Sequence, residues 1–265
     1  MRLKHRVALN GNHLDEVDER IVITGVEEAT GREQITAAAS GHNGQRITGR
    51  RRDPLNVTVR FRLWIRKNDM AARAELLEKV NAWAAGGGAL FLNYKPQRRL
   101  TVTLTQAPGL GDPWNWTDEF EMVFTAYAVP YWQDWTAVTV QTSTGTERNA
   151  TIEVPGSAET VMEATVWNRS GAKISWVTVT CGNSVIDLAG LDFGAGEKIV
   201  INHSHAAGKF VLRIRQGTDS SMKSILAKRK PESSDDLYVN PGSVACNVKA
   251  QRAIQAEFSV RGRYL

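Results

Sequence analysis

Leu55-Asn56-Val57-Thr58-Val59-Arg60-Phe61-Arg62-Leu63-Trp64-Ile65-Arg66 alternates apolar and polar residues along its length. Leu55, Val57, Val59, Phe61, Leu63 and Ile65 take every second position. A strand turns successive side chains to opposite faces, so the pattern predicts a strand over 55–66 with one buried and one wet face. The wet face carries Arg60, Arg62 and Arg66. Trp64 interrupts the polar row and predicts packing at an edge or a contact.

The period then changes. Asn68-Asp69 offers a helix N-cap, and Leu76, Leu77, Val80, Trp83 and Ala84 follow at helical spacing, which predicts a helix over 69–85. Gly86-Gly87-Gly88 stops it, since glycine tolerates a left-handed C-cap. Trp83 is expected to plug the sheet from beneath.

Working outward, residues 1–53 mix short apolar pieces with turn signals. Arg46 and Arg50-Arg51-Arg52 are expected in a solvated loop leading into the long strand; contact with a phosphate or acidic partner is the alternative. Leu100–Thr105 and Phe120–Ala126 again alternate. Between them lies a Pro/Gly loop holding Trp114 and Trp116. Two aromatics two residues apart in a loop either present a contact surface or fold back over a sheet edge.

Thr136–Thr151 is rich in Thr, Ser and Gly and reads as a connection. The expected organisation is a first β domain over 1–135 with one helix, a linker over 136–150, and a second domain over 151–265. Six of the eight tryptophans precede the linker. The second domain shows short strand candidates separated by Gly and Pro turns, the signature of an antiparallel sandwich. Ala253–Val260 is the last of them.

Composition narrows function. The 42% hydrophobic and 23% charged content is that of a globular protein. The net charge of +5 divides as +2 over 1–135 and +3 beyond, too mild and even to predict a nucleic-acid partner. No apolar run approaches membrane-spanning length or forms a signal peptide, so a soluble protein made in the cytoplasm and needing no membrane is expected. Cys181 and Cys246 are expected as two buried free thiols, with one disulfide as the alternative.

No catalytic constellation appears, and an enzyme is not expected. His203 and His205 would share one face of a strand, but the further ligands a metal site needs are missing, so no metal is assigned. Gly86-Gly87-Gly88 follows a helix instead of preceding one, so it cannot cradle a phosphate, and no cofactor is expected.

The order of parts carries a resemblance. A long alternating strand, a helix ending in Trp83 and a Gly tract, an aromatic loop with Asp112-Pro113-Trp114, and a strand running into Val129-Pro130-Tyr131-Trp132 follow one another. Asn168-Arg169-Ser170-Gly171 and Leu237-Tyr238-Val239-Asn240-Pro241-Gly242 add two turns, although Ser243-Val244 stands where the pattern has an Asn. The whole resembles the distal tail proteins of long-tailed, non-contractile phages and prophages. That resemblance implies a mainly β fold: an N-terminal sandwich- or barrel-like domain with one helix, and a C-terminal galectin-like, carbohydrate-binding-module-like sandwich. It implies a homo-oligomer, a hexameric ring in the virion, joining the tail tube protein to the tail-tip hub, in some phages with receptor-binding proteins attached. In such proteins the final strand can pack back toward the first domain; Ile254, Ala256, Phe258 and Val260 have the alternation for a strand, and which sheet takes it is left open. Arg60, Arg62 and Arg66 are then candidates for an intersubunit surface, and Trp114 and Trp116 for an exposed aromatic contact. The alternative function is a carbohydrate-binding protein engaging host cell-surface glycans, through Trp167 or Trp176.

Overall fold

Strand Leu55–Leu63 buries Leu55, Val57, Val59, Phe61 and Leu63 and leaves the residues between them wetter, as period two demands. It stands within the first of two units, Met1–Trp132 and Gln133–Leu265. The computed structural model describes residues 6–29, 33–39, 45–66, 69–109, 119–204 and 210–265, with 33, 35–39 and 45–51 described as backbone.

The first unit contains β1 (Val7–Leu9), β2 (Asn12–His13), β3 (Ile21–Ala29), β4 (Glu33–Ala39), β5 (Gln45–Arg52), β6 (Leu55–Leu63), α1 (Met70–Ala84), β7 (Gly88–Leu92), β8 (Arg98–Gln106) and β9 (Glu119–Ala126). Seven of these strands form one sheet in the order β2-β1-β7-β8-β9-β6-β3. β4 and β5 pair with each other as a separate antiparallel ribbon. Arg46 and Arg50–Arg52 therefore lie in a strand, not in the expected loop.

Asp69 caps α1, its Oδ1 accepting from the Ala72 N–H at 3.0 Å. The helix buries Leu76, Leu77, Val80 and Ala84, and also Arg73, whose guanidinium sits 4.9 Å from the centre of the Phe120 ring. Trp83 is half-buried, not a full plug. Its indole N–H donates to the Asn12 carbonyl at 2.9 Å, and its ring meets Phe124 edge-on at 6.1 Å. Among the described residues of this unit, the fully buried tryptophan is Trp132. Its N–H donates at 2.7 Å to Glu28, which also accepts from Tyr94 at 2.8 Å and Lys95 at 2.6 Å. Burial and that carboxylate push the Tyr94 phenol well above its ordinary range.

The glycine tract does more than end the helix. Ala85 is the extended C-cap, and Gly86 and Gly87 follow at positive φ. A Cβ on Gly87 would lie 2.2 Å from the Val102 carbonyl oxygen, and one on Gly88 2.1 Å from Asn10 Oδ1. Asn10 needs that space, because its side chain donates to the Gly87 carbonyl at 3.0 Å and accepts from the Ala89 N–H at 2.9 Å. Asn10-Gly11 is itself the left-handed turn between β1 and β2.

The second unit follows β10 (Trp132–Asp134), which spans the unit boundary. It comprises β11 (Val138–Gln141), β12 (Gly145–Val154), β13 (Thr160–Asn168), β14 (Ile174–Cys181), β15 (Ser184–Phe193), β16 (Lys198–Ser204), β17 (Val211–Thr218), β18 (Ser221–Ser224), β19 (Tyr238–Val239), β20 (Gly242–Val260) and β21 (Arg263–Tyr264). The sheet order is β15-β14-β20-β13-β16-β17-β18, with β11 and β12 also paired to β20. One core joins them, including Val166, Val179, Ile186, Phe193, Ile201 and Phe258. Asn168 closes one corner: its side-chain amide donates to the carbonyls of Ala172, Phe193 and Gly194 at 2.9–3.0 Å.

One expectation is corrected here and one open question is answered. The stretch read as a linker, 136–150, is largely β11 and β12, both hydrogen-bonded to β20. Its Thr-rich composition suits a strand with one solvated face, and few apolar residues are needed there. The sheet that takes Ile254, Ala256, Phe258 and Val260, left open by the sequence, is that of the second unit. β20 pairs with β11, β12, β13 and β14 within its own unit. It also begins at Gly242, eleven residues before the expected Ala253.

Gly88→Ala is expected to cost about 1–3 kcal/mol, from a left-handed backbone and a collision with the Asn10 side chain. Urea unfolding of the full chain measures it, and Gly86→Ala, with open space at its Cβ, is expected to cost less.

Candidate functional site

The outer face of β3, β6 and β9 is where the arginines stand. Arg60 lies opposite Gly25 on β3 and Glu121 on β9; Arg62 lies opposite Val22 and Glu119. Arg60 Nη2 reaches Glu27 at 2.9 Å, and its Nε lies 3.9 Å from Glu121. Arg62 Nη2 lies 3.6 Å from Glu119, which also accepts from the Thr24 hydroxyl at 3.1 Å. The row is thus a ladder of cations flanked by acids from the neighbouring strands, and much of its charge is balanced within the sheet. These pairs are about half exposed and contribute little each.

Arg66 is not part of the ladder. The strand ends at Leu63, where the chain turns so that Ile65 N–H donates to the Leu63 carbonyl at 3.1 Å. Arg66 is exposed beyond that turn. Trp114 and Trp116 lie outside the described residues.

Trp64 stands out on this face. Its backbone N–H donates to the Arg20 carbonyl at 2.7 Å, which fixes its position beside β3, yet its side chain is 81% exposed. Val22, across from Arg62, is also exposed. A large exposed aromatic held by its backbone at the end of a strand has the composition of an interface anchor. Sequence reasoning flagged Trp64 as a break in the pattern but missed the acids. Their signal was present: Glu119 and Glu121 flank Phe120 with strand alternation, so they had to share the wet face.

In the second unit, His203 is buried near the end of β16. Its Nε2 lies 2.7 Å from Asp236 Oδ2, its Nδ1 is 3.8 Å from Glu163, and its ring stacks on Phe210 at 4.3 Å. Arg263 covers Phe210 at 5.2 Å. Burial opposes the imidazolium, but Asp236 and Glu163 outweigh it and hold the His203 pKa above its ordinary value. His205 lies outside the described residues. Among the described residues no three His, Cys, Asp or Glu side chains gather as a metal site.

The fold has solved counterparts. It is similar to the Dit protein of phage SPP1, whose crystal structure is presented as a paradigm of the hub adsorption apparatus in phages that infect Gram-positive hosts. The TM-score is 0.65 at 13% identity, over 97% of this chain and 98% of that one. It is also similar to a chain of the phage P2 baseplate in its activated, calcium-bound conformation, with a TM-score of 0.50 at 7% identity over 99% and 98% of the two chains. No protein-family model and no curated protein sequence matches the chain. The mainly β, one-helix architecture expected from the resemblance is the one found, and it is the fold of a phage distal tail protein from end to end.

Two tests follow from this geometry. Arg60→Glu gathers like charges beside Glu27 and Glu121 and is expected to lower stability by about 1 kcal/mol. Adding Glu121→Arg should restore part of it, as read by urea unfolding. Because the folded-state pKa of His203 is raised, its stabilisation is complete below the unfolded value of about 6.5 and fades as pH rises through the folded value. Denaturation midpoints between roughly pH 5 and 9 should therefore fall with rising pH in the native chain, and more steeply than in His203→Gln.

Proposed function

We propose that this chain is a structural component of a phage tail tip or baseplate, resident in the virion. Its first unit builds a homo-oligomeric ring, a hexamer, that joins the tail tube protein to the tail-tip hub, with receptor-binding proteins as further partners. It acts by assembly and not by catalysis. The observation that carries this reading is the fold match over nearly the whole of both chains to the SPP1 Dit protein. A likeness confined to one unit would leave a generic β-sandwich, whereas here the order of both units is shared.

The surface chemistry of the first unit supports the same reading. A ring is built from heterologous contacts, so each subunit must offer two different faces. The β3–β6–β9 face offers fixed, alternating charge that sets register, and Trp64 supplies an aromatic anchor. Because Arg60 and Arg62 are already matched by acids of their own sheet, they are expected to specify the docking of a second copy more than to drive it. The glycan-binding alternative has no comparable observation in its favour.

Mass photometry and electron microscopy of the concentrated full-length chain are the test. Rings are expected, and Trp64→Ala should leave the denaturation midpoint unchanged while lowering ring yield at least tenfold. A chain that stays monomeric under all conditions, alone and with a tail tube protein, overturns the reading.

A further inference from the structure

Cys181 and Cys246 are the only cysteines in the chain, 65 residues apart in sequence. The structure makes them direct neighbours. Cys181 ends β14, Cys246 lies early in β20, and the two are opposite each other in the antiparallel register. Both are buried, both belong to the same core cluster, and both are free thiols.

The type of pairing matters. The next pair along the ladder, Gly182 and Ala245, is a hydrogen-bonded pair, with Gly182 N–H donating to the Ala245 carbonyl at 2.9 Å. Pairs alternate along an antiparallel ladder, so Cys181 and Cys246 occupy a non-hydrogen-bonded site. Such sites bring opposite Cα atoms to about 4.5 Å and aim both side chains to one face. Disulfides need Cα atoms roughly 4.4–6.8 Å apart, so the site falls within their reach without moving either strand.

We propose that Cys181 and Cys246 form a redox-closable cross-strand staple, open as two thiols in a reducing compartment and closed as a disulfide in an oxidising one. The oxidant is a small-molecule disulfide of the glutathione class. A thiolate from one cysteine attacks the oxidant's S–S bond, forming a mixed disulfide and releasing one small thiol. The second cysteine then attacks the mixed disulfide, forming the Cys181–Cys246 bond and releasing the second small thiol. Two protons and two electrons leave the protein and reduce one oxidant molecule to two thiols.

The hydrogen bond between the two cysteines and burial push the Cys181 thiol up, while the same bond lowers that of Cys246; both sulfurs are shut away from solvent, so an oxidant reaches the folded pair slowly. Closure therefore takes place during folding or local opening, when the thiols meet solvent. Closing the staple links β14 to the central strand of the unit across a long loop and restrains the unfolded chain. The proposal stands independently of the function assigned to the chain.

The test uses the full-length protein, unfolded in urea and refolded in a glutathione redox buffer, beside a sample held in urea in the same buffer. After alkylation, peptide mapping counts the Cys181–Cys246 linkage. The refolded chain is expected to show a disulfide-to-dithiol ratio at least tenfold above that of the unfolded chain, and to melt at a higher temperature than the reduced chain. Cys246→Ala should give no linked species and serves as the assignment control. A refolded chain no more oxidised than the unfolded one, or one that carries separate glutathione adducts, or one that melts lower when oxidised, overturns the proposal.

Discussion

A strand inside a sheet must satisfy backbone donors and acceptors on both edges. β20 meets that demand over nineteen residues, roughly 60 Å at the rise of a strand. No single neighbour is long enough. β12 and β14 flank its first half, and β11 and β13 flank its second. The order of the second unit follows from this one constraint, because each neighbour is placed by the segment of β20 it pairs with. Side-chain alternation then does the rest, turning Val244, Cys246, Val248 and Ala250, and later Ile254, Ala256, Phe258 and Val260, to buried positions.

Much of the first unit was legible because its strongest signals are local. Period two over Leu55–Leu63, an Asp cap and a glycine stop each depend on a few neighbouring residues. β20 was only half legible. Its second half carries Ile254 and Phe258, but its first half alternates weakly, with small Ala and Cys residues inward and Asn247 and Lys249 between them. β12 shows the same limit: Thr, Glu, Arg and Asn dominate an exposed strand whose register is set by a partner about a hundred residues away. Local composition there matches a linker, and long-range pairing overrides it.

The candidate surface was legible in part for a related reason. The arginines could be read from one strand, but their acids lie on two others, Glu27 on β3 and Glu119 and Glu121 on β9. Only the sheet order brings them together. This changes the electrostatic picture from a cationic stripe seeking an acidic partner to a patterned, nearly balanced surface. In the ring proposed above, such a surface would penalise a misaligned neighbour, since a shift along the strand sets like charges face to face. Trp64 adds an exposed apolar group that a balanced charge pattern does not supply.

The length of β20 has a mechanical consequence. Tension applied along that strand loads the hydrogen bonds of its four ladders together, in shear, so they resist as a group. A pull across the strand opens the ladders one bond at a time, from an end. The second unit is therefore stiff along one axis and peelable across it. The rungs contributed by β12 and β14 bear the load entering at Gly242, and those of β11 and β13 the load leaving at Val260.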